Sequence, residues 1–207
     1  MKAPGCVFGL TGGVACGKST VAQFFEELGA RIIDADRVGH ETLRSPHPAY
    51  QQIVARFGRG ILDSAGEIDR RRLGTIVFAD DKARHDLNAI VHPQILARID
   101  ELAAQFHTQD SLAVILVDAA LIYEVGISGR FKKILVAWCR PEQQIERLMA
   151  KTGMSLKEVA LRIAAQMPSE EKRRSADYVI DCSGSKENTR VQVQSLYPEL
   201  RKWVVVE

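Results

Sequence analysis

The chain has 207 residues, of which 46% are hydrophobic and 26% are charged. This size and composition predict one globular unit that carries an insertion, rather than two independent domains. With 28 basic and 26 acidic side chains the net charge is +2, which gives no reason to expect a nucleic acid or a membrane surface as partner. The four cysteines form no C-x-x-C pair, which argues against a zinc site or a redox motif. Residues 1–5 lead straight into the first predicted strand and leave no room for a signal peptide, so we expect a cytoplasmic protein.

The first predicted element is a phosphate-binding loop. Residues 12–20 fit the pattern G-x-x-x-x-G-K-[ST], between an apolar strand at residues 7–10 and a helix that begins near Gly17. Such a loop aims backbone N–H groups and the positive end of a helix at a polyphosphate. We expect Lys18 to reach the β- and γ-phosphates and the Ser19 hydroxyl to bind Mg²⁺. The predicted phosphate-binding residues are Gly13, Val14, Ala15, Cys16, Gly17, Lys18, Ser19 and Thr20.

Four further apolar runs predict buried strands at residues 31–33, 113–117, 134–137 and 178–180. Because they alternate with helices, they indicate a five-stranded parallel sheet covered on both faces, in a three-layer α/β/α P-loop fold. Three of these strands run directly into an aspartate, namely Asp34, Asp118 and Asp181. Ligands of such sheets bind at the carboxyl ends of the strands, so these carboxylates mark the candidate site.

Two segments are longer than the connections between neighbouring strands require. A strand-to-strand connection takes a dozen or more residues, but residues 38–111 contain only helical patterns, at 40–57, 70–78 and 82–106. We predict that they form a helical acceptor-binding subdomain inserted into a nucleotide-binding core of residues 1–37, 112–154 and 175–207. Residues 155–174 end in a basic run and predict a mobile helical lid that brings cations over the phosphates. The alternative interpretation is a solvated helix with mixed charges.

The remaining motifs separate the classes of P-loop protein. No N-K-x-D or T-K-x-D guanine-binding motif follows a late strand, and no strand ends in the Asp-Glu pair of motor-type ATPases. A short chain with a helical insertion and a basic lid favours a small-molecule kinase that uses ATP. Asp34 and Asp36 would point the same way in an extended segment, one toward Mg²⁺ and the other toward an acceptor hydroxyl. A strand-end turn, where aspartate is common, is the alternative interpretation.

Nearly the whole sequence resembles the dephospho-coenzyme A kinases. The resemblance is carried, in order, by residues 8–20, 33–36, 57–58, 68–73, 76–78, 87–93, 144–149, 162–166, 171–173 and 176–181. It implies transfer of the ATP γ-phosphoryl group to the ribose 3′-hydroxyl of dephospho-CoA, giving CoA and ADP in the last step of CoA biosynthesis. Another nucleoside or small-metabolite kinase and a nucleotide-binding switch remain the alternatives.

The resemblance also implies roles for individual side chains. Asp36 is the expected base, with Lys18 and Arg147 as further catalytic residues. The implied substrate contacts are Asp34, Arg71, His92, Asp118 and Leu121. For His92 a purely structural role is equally open, and Arg71 is equally well explained as a surface arginine. A monomer and a weak homo-oligomer are both compatible with the sequence.

The chain departs from the usual family pattern inside the loop. The family sequence is commonly G-G-I-G-S-G-K-S-T, whereas Ala15 and Cys16 here replace a glycine and a serine. A positive φ at an alanine costs about 1 kcal/mol or more, so we predict a negative φ at Ala15. In residues 118–124 the proline of the usual D-x-P-L-L-[FY]-E is Ala120.

Overall fold

A computed structural model describes residues 6–205, so the predicted absence of a signal peptide at residues 1–5 concerns residues outside the described range. Five parallel strands form one sheet in the order β2-β3-β1-β4-β5. The predicted five-stranded parallel sheet is therefore confirmed. The strands are β1 (Val7–Gly12), β2 (Arg31–Asp34), β3 (Ile115–Asp118), β4 (Ile134–Trp138) and β5 (Tyr178–Asp181).

The sheet core explains why the strands were recognisable. Every residue of β1 and β3 is buried, as expected for strands with helices on both faces. On one face, Phe8 of β1 and Leu116 of β3 pack with Phe25 of helix α1 (Lys18–Glu27) and Leu200 of helix α9 (Lys186–Val205). The core-facing side chains of α1 recur at helical spacing, which fits an amphipathic helix on a sheet.

The chain divides into two compact units. The first comprises the described residues up to Asp34 and from Leu102 onward, and it contains the sheet. The second is Ala35–Glu101, built on α2 (Ala35–Thr42), α3 (Pro48–Phe57), α4 (Arg70–Ala79) and most of α5 (Asp81–Gln109). Its own core gathers apolar residues from three of these helices and the segments between them, with Ile53, Ile61, Leu73, Val77 and Ala83 fully or nearly fully buried.

The prediction of one continuous helix over residues 40–57 was wrong. α2 ends at Thr42 and α3 begins at Pro48. The intervening chain contains Pro46, whose missing N–H cannot continue a helical ladder. Pro48 then occupies the first turn of α3, where a proline is favoured, and the His47 side chain accepts a hydrogen bond from the Ala49 N–H at 3.2 Å.

The later helices include the predicted lid. α6 (Pro141–Thr152) follows β4, and residues 155–174 contain α7 (Leu156–Ala164) and most of α8 (Ser169–Ser175). Ser155 and Glu158 form a capping box at the start of α7, an arrangement that satisfies two otherwise unpaired N–H groups. Among the described residues, no helix combines the length and the apolar character needed to cross a membrane.

Candidate active site

The phosphate-binding loop forms a tight turn between β1 and α1. The Cys16 N–H donates to the Gly13 carbonyl at 3.1 Å. Gly17 caps α1 with φ of 99°, a left-handed conformation that favours glycine. In the described part of the chain, no side chain caps the first turn of α1, and that turn contains no acidic residue, so the N–H groups at this helix end can bind an anion. A Cβ atom at Gly12 would lie 2.4 Å from the Ala137 carbonyl oxygen, which explains the glycine at that position.

The prediction of a negative φ at Ala15 was wrong. Its φ is 61°, and it is the one non-glycine residue with positive φ among residues 6–205. An L-residue pays about 1–2 kcal/mol for this conformation. Such strain persists where the surroundings over-determine the backbone. Here the carbonyl of the preceding Val14 accepts a hydrogen bond from Gln144 Nε2 at 2.9 Å, which holds the turn from outside the loop.

Lys18 and Asp118 meet at the carboxyl edge of the sheet. The Lys18 ammonium forms a short ion pair with Asp118 Oδ1, and the two side chains are 17% and 12% exposed. The strand register explains the encounter, because Asp118 lies beside Leu10 of β1 and beside Asp34 of β2. Two residues predicted for the site, one from the loop and one from β3, are therefore together.

The extended geometry predicted for Asp34 and Asp36 was wrong. Asp34 is the last residue of β2, and Asp36 lies in the first turn of α2. The strand thus changes to a helix between the two carboxylates, and the alternation of side chains along a strand does not apply to them. An acidic residue in the first turn of a helix interacts favourably with the helix dipole.

The segment that follows β3 is tied to α8 by a buried ion pair. Lys172 has no exposed surface; its Nζ lies 2.7 Å from Glu124 Oε1 and donates to the Ala120 carbonyl at 2.6 Å. Glu124 also accepts a hydrogen bond from the Met167 N–H at 2.9 Å. The Thr11 hydroxyl, from β1, donates to the same Ala120 carbonyl at 3.1 Å. A single polar network therefore joins β1, the segment after β3 and the predicted lid.

Two aromatic residues complete the attachment of α8. The Tyr123 hydroxyl donates to the Ser175 carbonyl at 2.9 Å, and burial, followed by the charge of Asp177, raises the pKa of Tyr123 to about 12. The Arg173 guanidinium lies 4.3 Å from the centroid of the Trp138 ring, a cation–π distance. The basic run of α8 is thus more than a solvated face, because Lys172 is buried and Arg173 covers an aromatic ring.

Arg147, a predicted catalytic residue, lies on α6. Its Nη2 donates to the Cys182 carbonyl at 2.8 Å, which links α6 to the segment after β5. A guanidinium carries five N–H donors, so this contact leaves others for a ligand. Cys16 is fully buried, and interaction with the Cys139 side chain, together with burial, raises the pKa of Cys16. Its side chain therefore belongs to the packing behind the loop.

The predicted acceptor contacts fall in different parts of the chain. Leu121 lies in the turn region after β3 and is exposed. In the second unit, Arg71 is an exposed residue of α4 whose main-chain N–H is capped by Asp69 at 2.9 Å. His92 lies within α5, where burial lowers its pKa. Their contacts with a substrate stay predictions.

The donor set near the loop fits Mg²⁺ without a dedicated cage. Within residues 6–205, no group of three or more His, Cys, Asp or Glu side chains could hold a metal ion. Mg²⁺ usually keeps several waters and is held by one or two protein oxygens together with substrate phosphates. The exposed Ser19 hydroxyl, in the first turn of α1, and the neighbouring carboxylates of Asp34 and Asp118 are ligands of that kind.

Sequence reasoning missed the roles of three side chains, Gln144, Gln166 and Lys172. The two glutamines bind the main chain of Val14, and Lys172 is the buried cation described above. All three lie in motifs that carry the family resemblance, which is the one signal by which they could have been found. Glutamine in a helix and lysine in a charge run otherwise indicate solvent exposure.

Known proteins similar to this chain identify its family. A family profile described as dephospho-CoA kinase matches residues 6–188. A dephospho-CoA kinase from Carboxydothermus hydrogenoformans is 44% identical over 197 residues, covering 95% of this chain and 94% of that protein. A crystal structure from Thermus thermophilus matches with a TM-score of 0.78 at 28% identity, covering 95% of this chain and 98% of that one. A Campylobacter jejuni dephospho-CoA kinase matches with a TM-score of 0.63 at 28% identity, covering 95% and 97%.

Proposed function

The chain belongs to the dephospho-CoA kinase family, and we infer from this that it phosphorylates dephospho-CoA with ATP, in the last step of CoA biosynthesis. The acceptor is the ribose 3′-hydroxyl, and the products are CoA and ADP. The observation that carries the inference is the family match over residues 6–188, which includes both the P-loop and the Asp34–Asp36 motif.

For the donor side, we propose that residues 13–20 bind the phosphates of ATP through the main-chain N–H groups that remain open in this loop, those of Ala15, Gly17, Lys18 and Ser19. Lys18 neutralises the β- and γ-phosphates. Two features support this: the uncapped start of α1 and an ammonium group held at the loop by Asp118. We further propose that Mg²⁺ is bound by Ser19, with phosphate oxygens and water completing its shell. When bound, the ion would neutralise charge on the transferring phosphate. Arg147 is proposed to add positive charge on the same side.

For the acceptor side, we propose Asp36 as the base. The 3′-hydroxyl oxygen attacks the γ-phosphorus in line, the bond from that phosphorus to the ADP oxygen breaks, and Asp36 accepts the hydroxyl proton. Phosphoryl transfer has a loose transition state, so a carboxylate that orients the hydroxyl and takes its proton late is a sufficient base. Asp34 and Asp118 are proposed to support this site, with Arg71, His92 and Leu121 as contacts of the dephospho-CoA molecule.

The test is ATP consumption by the purified protein with and without dephospho-CoA. We expect strong stimulation by dephospho-CoA, and formation of CoA and ADP in equal amounts. Lys18→Ala should abolish turnover with this acceptor and with water, whereas Lys202→Ala, at an exposed lysine of α9, should not change it. Stimulation by another nucleoside or metabolite in place of dephospho-CoA would indicate a different kinase. Nucleotide binding without stimulation by any acceptor would indicate a switch.

A further inference from the structure

Val14 of the phosphate-binding loop is held on both sides by glutamine side chains. Its N–H donates to Gln166 Oε1 at 3.0 Å, and its carbonyl accepts from Gln144 Nε2 at 2.9 Å. Gln144 is a buried residue of α6, whereas Gln166 lies between α7 and α8, within the predicted lid segment 155–174. The core and the predicted lid segment thus meet on one residue of the loop.

The chemistry of the main chain decides which end of each glutamine faces Val14. A peptide N–H can only donate a hydrogen bond, and a peptide carbonyl can only accept one. Gln166 must therefore present its oxygen and Gln144 its NH₂ group. Consequently glutamate, which offers oxygen but no donor, can replace Gln166 in this contact but cannot replace Gln144.

The hydrogen bond from Val14 does not use the donors that a phosphate needs. Within residues 6–205, the main-chain N–H groups of Ala15, Gly17, Lys18 and Ser19 make no hydrogen bond inside the protein. N–H groups at the start of a helix are available to an anion. The Val14 N–H is occupied instead by a side chain that comes from 152 residues further along the chain. It can therefore hold the loop in place while the other donors remain open to a ligand.

We propose that Gln166 is a positioning residue for nucleotide binding, through which the segment 155–174 holds the phosphate-binding loop. When this segment is docked, Gln166 fixes the Val14 N–H and Gln144 fixes the Val14 carbonyl, and the strained turn at Ala15 keeps its shape. When the Gln166 contact is lost, the loop becomes looser and binds the phosphates of ATP less tightly. The proposal rests on the proposed function only in taking ATP as the nucleotide.

The experiment compares Gln166→Leu, Gln166→Glu, Gln144→Leu and Gln144→Glu in the full-length protein. Two quantities are measured without any acceptor: the hydrogen-exchange rate of the Val14 amide by NMR, and the Kd for ATP with Mg²⁺ by titration calorimetry. The exchange rate of the Leu135 amide, in the buried strand β4, reports any global loss of stability. Gln51→Leu, at an exposed position of α3, is the matched control.

We expect Gln166→Leu to accelerate exchange at Val14 selectively and to raise the Kd for ATP about three- to tenfold, the effect of losing one hydrogen bond. Gln166→Glu should keep the Val14 exchange rate near that of the wild type, although the negative charge that it adds beside the loop would itself raise the Kd for ATP. Gln144→Glu should be at least as impaired in both quantities as Gln144→Leu. An unchanged Kd in Gln166→Leu, or equal acceleration of Val14 exchange by leucine and glutamate at position 166, would overturn the proposal. Neither readout depends on dephospho-CoA, so failure of the proposed function would leave them interpretable.

Discussion

The Nζ atom of Lys172 lies 2.7 Å from Oε1 of Glu124, and the lysine side chain is fully buried whereas the glutamate side chain is 20% exposed. Removing one partner of a buried ion pair leaves the other charge uncompensated, which costs about 3–5 kcal/mol when that charge is fully buried. The two partners of this pair are therefore not equivalent. Removing Glu124 leaves the charge of the fully buried Lys172. Removing Lys172 leaves the charge of Glu124, which is partly exposed to water.

We predict that Glu124→Met lowers the free energy of unfolding by about 3 kcal/mol or more, and that Lys172→Met lowers it by less. The double variant should be more stable than Glu124→Met alone, because an apolar pair leaves no buried charge. Urea titration with linear extrapolation measures the three values. Equal costs for the two single variants, or a double variant less stable than Glu124→Met, would contradict this account of the pair.

The proposed base gives a kinetic prediction. Asp36→Asn keeps the size of the side chain but removes its ability to accept a proton, so kcat should fall about 10²-fold or more. The Kd for ATP, measured without acceptor, should stay within about twofold, because the proposed role of Asp36 concerns the acceptor hydroxyl and not the nucleotide. Asp81→Asn, at the exposed start of α5, is the matched control and should retain full turnover. Near-wild-type kcat in Asp36→Asn would remove this residue from its proposed role.

Local sequence was sufficient for the sheet and for the position of the loop. Buried parallel strands are continuous apolar runs, and the loop motif lies between a strand and a helix, so both could be recognised within a few residues. The conformation of Ala15 could not, because Gln144 and Gln166, which fix the neighbouring Val14, lie 130 and 152 residues away in the sequence. The energetic cost of a positive φ at an alanine, considered by itself, favoured a negative φ at Ala15, which was the wrong sign.

Local sequence was also insufficient to predict the environment of the charged residues at the site. Lys172 stands in a run of charged residues, which is typical of a solvated helix, and its burial depends on Glu124 and on the Ala120 carbonyl in a distant turn. The change from strand to helix after Asp34 was missed because Asp36 was treated as part of an extended segment. Both errors concern contacts or boundaries that periodicity does not define, and boundaries are the least reliable part of any sequence-based assignment.

His92 leads to a prediction about pH. Burial lowers the pKa of His92 below its ordinary value of 6.5, so the folded state resists protonation more than the unfolded state does. Above pH 6.5 both states are neutral at this residue and its contribution to stability is fully present. As the pH falls below 6.5, the unfolded state takes up the proton first, and stability is lost down to the folded-state pKa.

His92→Gln should therefore lose less stability than the wild type between about pH 7.5 and pH 5.5, the range in which an ordinary histidine titrates. Urea titrations at the two pH values give the difference for each protein. His85→Gln, at an exposed position of the same helix, is the control and should keep the pH dependence of the wild type. If His92→Gln shows the same loss as the wild type, burial of this imidazole does not contribute to acid sensitivity.

The strained alanine of the phosphate-binding loop gives the last prediction. At Ala15, φ is 61°, and glycine adopts this conformation without the clash of a Cβ atom. Ala15→Gly should therefore raise the free energy of unfolding by up to about 1 kcal/mol, the relief of strain being partly offset by the larger entropy of glycine in the unfolded chain. Ala150→Gly, at an exposed position within α6, should have the opposite sign and cost about 1 kcal/mol. Urea titration of both variants separates the two effects, and a loss of stability in Ala15→Gly would show that the loop does not hold this residue in a left-handed conformation.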